Sequence, residues 1–194
     1  MANLTIMLKK TFLIIIIIIT GKLSHAQTAD EVYEKYTDFN LAMLQNEHDK
    51  ALDLGQQILP DSAKLSPKVR VSFYNGIAKL YEDDSQSIKA IEYYNRVAAA
   101  QPNYYVAHRA LGYLYIKDIS GKPANQVIVD AAYIAKIKKA LPHLEKAQAC
   151  DPDDQTLSLI KLLYRNIKDE KGLNSLPERL NLLKKNCIDI LDTQ

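Results

Sequence analysis

Two segments of this chain match each other at a separation of 34 residues. Tyr74, Ile77, Ala78 and Tyr81 recur as His108, Leu111, Gly112 and Tyr115, with the same gaps inside each set. This period constrains the fold more than any other feature. One helical hairpin cannot bury its apolar face alone, so a hairpin-length repeat has to stack on copies of itself. Such a stack reads as a binding scaffold rather than a single-core enzyme.

The first 26 residues read as a separate segment. Lys9 and Lys10 precede a short apolar run, Phe12 to Ile19, followed by a polar stretch that ends Ser24-His25-Ala26. A positive flank, a short apolar centre and small residues two apart make the pattern of a secretory signal peptide, with cleavage expected after Ala26. A retained membrane anchor would need roughly 20 apolar residues, and this run is far shorter. No cysteine follows it to accept a lipid. The expected product is therefore exported, periplasmic or secreted, with no stable membrane insertion, and residues 27–194 form one domain.

Export changes the charge argument. The leader holds Lys9, Lys10 and Lys22 and no acid; without those three, the 25 basic residues become 22, against 23 acidic ones. Nothing then favours nucleic acid, which requires a clustered positive surface. Cys150 and Cys187 both survive cleavage. In an oxidising compartment they could pair, or they could remain two partly buried thiols that behave as small hydrophobes. No Cys-x-x-Cys is present and His48, His108 and His143 are scattered, so no metal site and no cofactor are expected.

Strand signals are nearly absent, and an all-α fold is expected. A first hairpin covers residues 30–60, with Val32, Tyr36, Phe39, Met43 and Leu44 at helical spacing, then Ala51, Leu54, Ile58 and Leu59. Asp61 to Lys68 reads as a linker after Pro60. The second hairpin, residues 68–102, has Phe73, Tyr74, Ile77, Leu80 and Tyr81 on one helix. Ile88, Ile91, Tyr94 and Val97 face inward on the other.

These residues resemble the tetratricopeptide repeat family. Its first helix carries a bulky residue, a large aliphatic, a small residue and an aromatic, matched by Tyr74, Ile77, Ala78 and Tyr81. Its second carries a small residue, an aromatic and a small residue before proline, matched by Ala90, Tyr94, Val97 and Pro102, although valine exceeds the usual alanine. Small residues let the helices approach while aromatics fill the gap to the next hairpin. The third hairpin, residues 105–152, has a second-helix set of Ala140, Leu144, Ala147 and Pro152. These lie 50 residues after their counterparts, so 16 residues are inserted near 118–135. A break at Gly121-Lys122-Pro123 and an apolar stretch from Val127 to Tyr133 predict an elongated second helix. Residues 155–192 read as a capping helix pair, with Lys168 to Ser175 as its turn and a last helix from Pro177 carrying Leu180, Leu183, Cys187, Ile190 and Leu191 on one face. The resemblance thus implies a right-handed α-solenoid of antiparallel hairpins.

No catalytic motif is found. No G-x-S-x-G surrounds a serine, and Gly121-Lys122 lacks the rest of a phosphate loop. The resemblance implies that the first helices line a concave face that holds a partner's peptide. Groove positions there are Asn75, Lys79 and Glu82, then Arg109, Tyr113 and Ile116. Asn75, Lys79 and Arg109 suit a carboxylate or main-chain carbonyls, and Tyr113 an apolar contact. The expected function is a non-catalytic protein-binding scaffold of the cell envelope. Two alternatives are a structural or assembly subunit of an outer-membrane complex, docked through its convex face or insert, and a small-ligand binder or enzyme. The last would use a pocket by the insert, where Lys117, Asp118, Asn125, Gln126 and Asp130 are the polar groups available.

Overall fold

The computed structural model describes residues 27–119 and 128–191. The expected leader, the Gly121-Lys122-Pro123 break and Val127 lie outside the described residues. The rest is helical: α1 (Ala29–Leu44), α2 (His48–Ile58), a 3-10 turn (Leu59–Lys64), α3 (Pro67–Asp83), α4 (Ser87–Ala100), α5 (Tyr105–Ile116), α6 (Ala131–Cys150), α7 (Asp154–Asn166), α8 (Glu170–Asn174) and α9 (Leu176–Leu183). No strand occurs among the described residues, only an isolated parallel bridge between Tyr104 and Ile188.

Local chemistry sets the starts of the helices. Thr28 and Glu31 cap α1 reciprocally, each side chain taking the other's backbone N–H. Ser66 caps α3 with Pro67 just inside, where a missing N–H costs nothing. Asp130 and Asp153 cap α6 and α7.

The bends between helices repeat one another. Asn46, Ser85 and Lys168 all have positive φ, at 56°, 59° and 56°. In each case the next residue's N–H reaches back five positions: Glu47 to the Ala42 carbonyl, Gln86 to Tyr81 and Asp169 to Tyr164, at 2.8 to 3.0 Å. This is the Schellman closure, which satisfies the last carbonyls of a helix and reverses the chain. The α5–α6 connection, where the extra residues fall, lies in the corresponding place of the third hairpin. Aligned on these bends, Leu157, Ile160 and Tyr164 of α7 correspond to Tyr74, Ile77 and Tyr81. The expected cap therefore opens with a helix of the same type, although Lys161 stands where the small residue was.

Each helix packs on its neighbours in sequence, and α9 also returns to α6. One apolar cluster runs from Val32 to Leu114 and a second from Ile116 to Leu176. Phe39 and Phe73 meet edge to face at 5.3 Å and join the first two hairpins.

Several apolar positions depart from the sequence expectation. Leu44 is 81% exposed and Ile88 is 86% exposed, not inward-facing. Leu44 is the last residue of α1 and Ile88 the second of α4, beside the Asn46 and Ser85 bends. The expected linker at Asp61 to Lys68 is partly a 3-10 turn, and the turn at Lys168 to Ser175 holds the short α8. The last helix stops at Leu183, because the disulfide between Cys150 and Cys187 and main-chain bonds to Asn103 and Tyr105 draw residues 184–191 away from a helical path. Ile190 is consequently exposed. Helix α6 is elongated as expected but opens at Ala131. Ile128–Asp130 are irregular.

Candidate partner-binding surface

The expected groove positions lie on α3 and α5, the first helices of the second and third hairpins. Asn75 is half-buried, and its Oδ1 has no hydrogen-bond partner. Its amide lies near the Tyr104 hydroxyl, whose pKa is raised chiefly by burial. Lys79 is exposed and pairs with Asp83 one turn on, which holds its ammonium above the ordinary lysine range. Glu82 accepts the Tyr94 hydroxyl at 2.8 Å. Burial, reinforced by that carboxylate, pushes the Tyr94 hydroxyl up. Glu82 is thus committed within its own hairpin.

Arg109 reaches the end of its own hairpin, just past α6, donating to the Asp151 carbonyl at 2.7 Å and its carboxylate at 2.9 Å. The Tyr113 hydroxyl meets Thr156 Oγ1 at 2.7 Å, while the residue remains 38% exposed. Tyr113 thus braces α5 against α7, while Arg109 ties α5 to the residue that closes α6. Ile116 is not a groove residue: it is 1% exposed and belongs to the second core cluster. It shares that cluster with Tyr133 and Ile137 of the lengthened α6.

Aligning the bends identifies a residue that the sequence reading missed. Leu162 occupies on α7 the position of Lys79 on α3 and Tyr113 on α5, and it is 50% exposed. Lys79, Tyr113 and Leu162 are the same face of three successive first helices. Val106, also partly exposed, lies one turn before Arg109 and Ala110 on that side of α5, and Tyr33 and Leu41 are exposed on α1. The signal was present in Leu157, Ile160 and Tyr164, but Lys161 disguised the register.

A second relationship also recurs. The final aromatics of α5 and α7 each bond to the preceding hairpin's second helix: Asn95 Nδ2 donates to the Tyr115 hydroxyl at 2.9 Å. Fifty residues on from Asn95, Glu145 accepts the Tyr164 hydroxyl. The carboxylate version recruits Arg179 of α9, which donates through Nε at 2.9 Å and Nη2 at 2.7 Å. Hydrogen bonding to Glu145 raises the Arg179 pKa, and burial raises that of Tyr164. This triad floors an open pocket of about 440 Å³ walled by Leu141, Pro142, Ile167 and Leu182. Glu145, Tyr164 and Arg179 are bonded to one another, Asp169 accepts the Gly172 N–H, and Lys138 completes the polar lining. The pocket is formed by α6, α7 and α9 together with the α7–α8 bend, rather than by the insert.

Inside the third hairpin, His108 and His143 face each other with Nδ1 atoms 2.9 Å apart, and His108 Nε2 lies 3.1 Å from the Pro102 carbonyl. Since Pro102 can only accept, His108 is protonated at Nε2 and takes the His143 Nδ1–H at its own Nδ1. Burial lowers both pKa values, that of His143 to about 4.

Among the described residues no group of three or more His, Cys, Asp or Glu is placed to hold a metal ion, and no helix is long and apolar enough to cross a membrane. No protein-family model, no curated protein and no solved structure matches the chain.

Proposed function

We propose that this chain is an exported, tetratricopeptide-like stack of helical hairpins. It acts as a non-catalytic scaffold, holding a segment of a protein partner along the face formed by α3, α5 and α7. The observation that carries this reading is the exposure of equivalent positions, Lys79, Tyr113 and Leu162, on three successive first helices. The face combines an ammonium, an aromatic ring and an aliphatic side chain, which suits an amphipathic helix or extended peptide with an acidic end. Tyr113 and Arg109 are immobilised by Thr156 and Asp151, so little side-chain entropy is lost when a partner binds them. Repeated bends and the repeated tyrosine contact support the stacked arrangement, and the reading of residues 1–26 supports export.

The test is crosslinked capture from cell-envelope extract with the full chain, beside a Lys79→Glu, Leu162→Glu double variant. Neither substitution touches the core. A specific partner lost in the double variant is the expected result. A partner retained by it would move binding to the convex face or the insert, as an assembly subunit would require, and would overturn the groove reading.

A further inference from the structure

Residues 184–191 leave α9 and run back across the stack to the start of α5. Ile188 N–H donates to the Asn103 carbonyl at 2.9 Å, and its own carbonyl accepts the Tyr105 N–H at 3.2 Å. Ile188 and Leu191 pack against the first apolar cluster. Lys146, 6% exposed, donates to the carbonyls of Asn186 at 2.6 Å and Leu183 at 3.1 Å and to Asn103 Oδ1 at 3.2 Å. One covalent tie closes the loop, the disulfide from Cys150 at the end of α6 to Cys187.

The place where this strap lands matters. Tyr105 directly precedes Val106 on the proposed partner face. Tyr104 lies near both Asn75 and Asp189, and Asn75 Oδ1 is buried there without a partner. The strap thus occupies, by main-chain pairing, the end of the surface that the previous section assigns to a partner.

We infer that residues 184–191 are a disulfide-pinned strap that covers one end of the partner surface, and that a dithiol reductant frees it. The inference rests on the scaffold reading, because the covered edge regulates binding only if that face binds. Cys187 is exposed and Cys150 half-buried, so an incoming thiolate attacks the Cys187 sulfur. The sulfur–sulfur bond breaks with its electron pair on Cys150, which takes up a proton. The reductant's second thiol then displaces Cys187 from the mixed disulfide and Cys187 leaves as a thiol. In total two electrons and two protons move to the protein, and the dithiol becomes a disulfide. Cys150 ends a helix, where the dipole disfavours a thiolate, so the reduced state rests as two thiols. Without the covalent link the strap is held only by non-covalent contacts, the Ile188 and Leu191 packing, the Lys146 bonds and the main-chain pair, and an extended peptide can compete for Asn103 and Tyr105 by the same pairing.

Amide hydrogen exchange on the full chain, with and without dithiothreitol, reads strap release directly. The expected result is at least ten-fold faster exchange at Tyr105 and Ile188 on reduction, reproduced without reductant by Cys187→Ser, while α3 and α4 stay protected. Unchanged exchange at both amides overturns the inference. A labelled peptide of residues 185–191 carrying the same serine substitution is then the binding probe for the vacated edge, with reduced Ile188→Asp protein as the receptor. Saturable binding there, absent from the oxidised wild-type chain, supports the edge as a docking site; no binding overturns that part. If the strap opens but the Lys79→Glu, Leu162→Glu variant retains every partner, the scaffold reading fails and the strap itself stands.

Discussion

Gly112 lies so close to Leu144 that a β-carbon built on it would sit 2.6 Å from both Cγ and Cδ2 of the leucine. The two residues mark where α5 and α6 cross. A side chain here forces the helices apart or Leu144 off its rotamer, at a cost of about 1–3 kcal/mol. Gly112→Ala should lower Tm by several degrees, on the scale of roughly 2–4 °C per kcal/mol for a domain of this size. In a Leu144→Ala background the same change should cost markedly less. Additive losses in that double-mutant cycle would disprove the steric account.

Arg179 neutralises a nearly buried Glu145. Arg179→Leu leaves that carboxylate unpaired and should destabilise the fold by about 3–5 kcal/mol. Replacing both partners with leucine should recover most of the loss, because no buried charge then remains. Urea unfolding of the three proteins decides it.

The histidine pair predicts sensitivity to mild acid. Free histidine takes up a proton near its unperturbed pKa of about 6.5, whereas His143 in the fold does so only near about 4. Between those values the unfolded chain binds more protons, so stability is complete above the unfolded pKa and falls as pH drops toward the folded one. Thermal melts from pH 7 to pH 4 should show a declining Tm, and His143→Gln should flatten that decline. A slope unchanged by the substitution would assign the acid response to other groups.

Ser85 and Lys168 hold left-handed backbone that costs side-chain-bearing residues about 1–2 kcal/mol. Glycine at either position removes that strain but adds unfolded-state entropy, for a net gain of roughly 0.5–1 kcal/mol. Asn46→Gly should gain least, since asparagine tolerates this conformation. Equal gains at all three sites would refute the ranking.

Much of the hairpin order could be read from the sequence because small and aromatic residues at fixed spacing report directly on helix contacts. Ala78, Ala90, Tyr94 and Leu111 are buried as that spacing requires. What escaped notice had physical causes. Ile88 is apolar and in phase, yet it lies at the beginning of α4, beyond the reach of a neighbour. Lys161 hid the fourth copy of the first-helix pattern, and with it Leu162. Ile116, at the position of Glu82, turns inward like it and is buried in the second apolar cluster with residues of the lengthened α6. Arg109 and Glu82 were legible as polar surface positions, but their bonds to Asp151 and Tyr94 depend on how neighbouring elements meet. The path of residues 184–191 was the least legible, since it follows from a covalent bond whose partners were recognised but whose approach no periodicity reports.

The third hairpin gained sixteen residues between its helices' matched positions relative to the second, part of them as added length of α6, yet Leu111, Ala140 and Leu144 are buried as completely as Ile77, Ala90 and Tyr94. The approach of α5 to α6 is therefore set by their facing surfaces, as at Gly112 and Leu144, rather than by the length of the connection. Evolution can lengthen such a connection without retuning the neighbours, and so can an engineer. The Ser85 and Lys168 bends become natural entry points for grafted epitopes or reporter loops, each held between two packed helices.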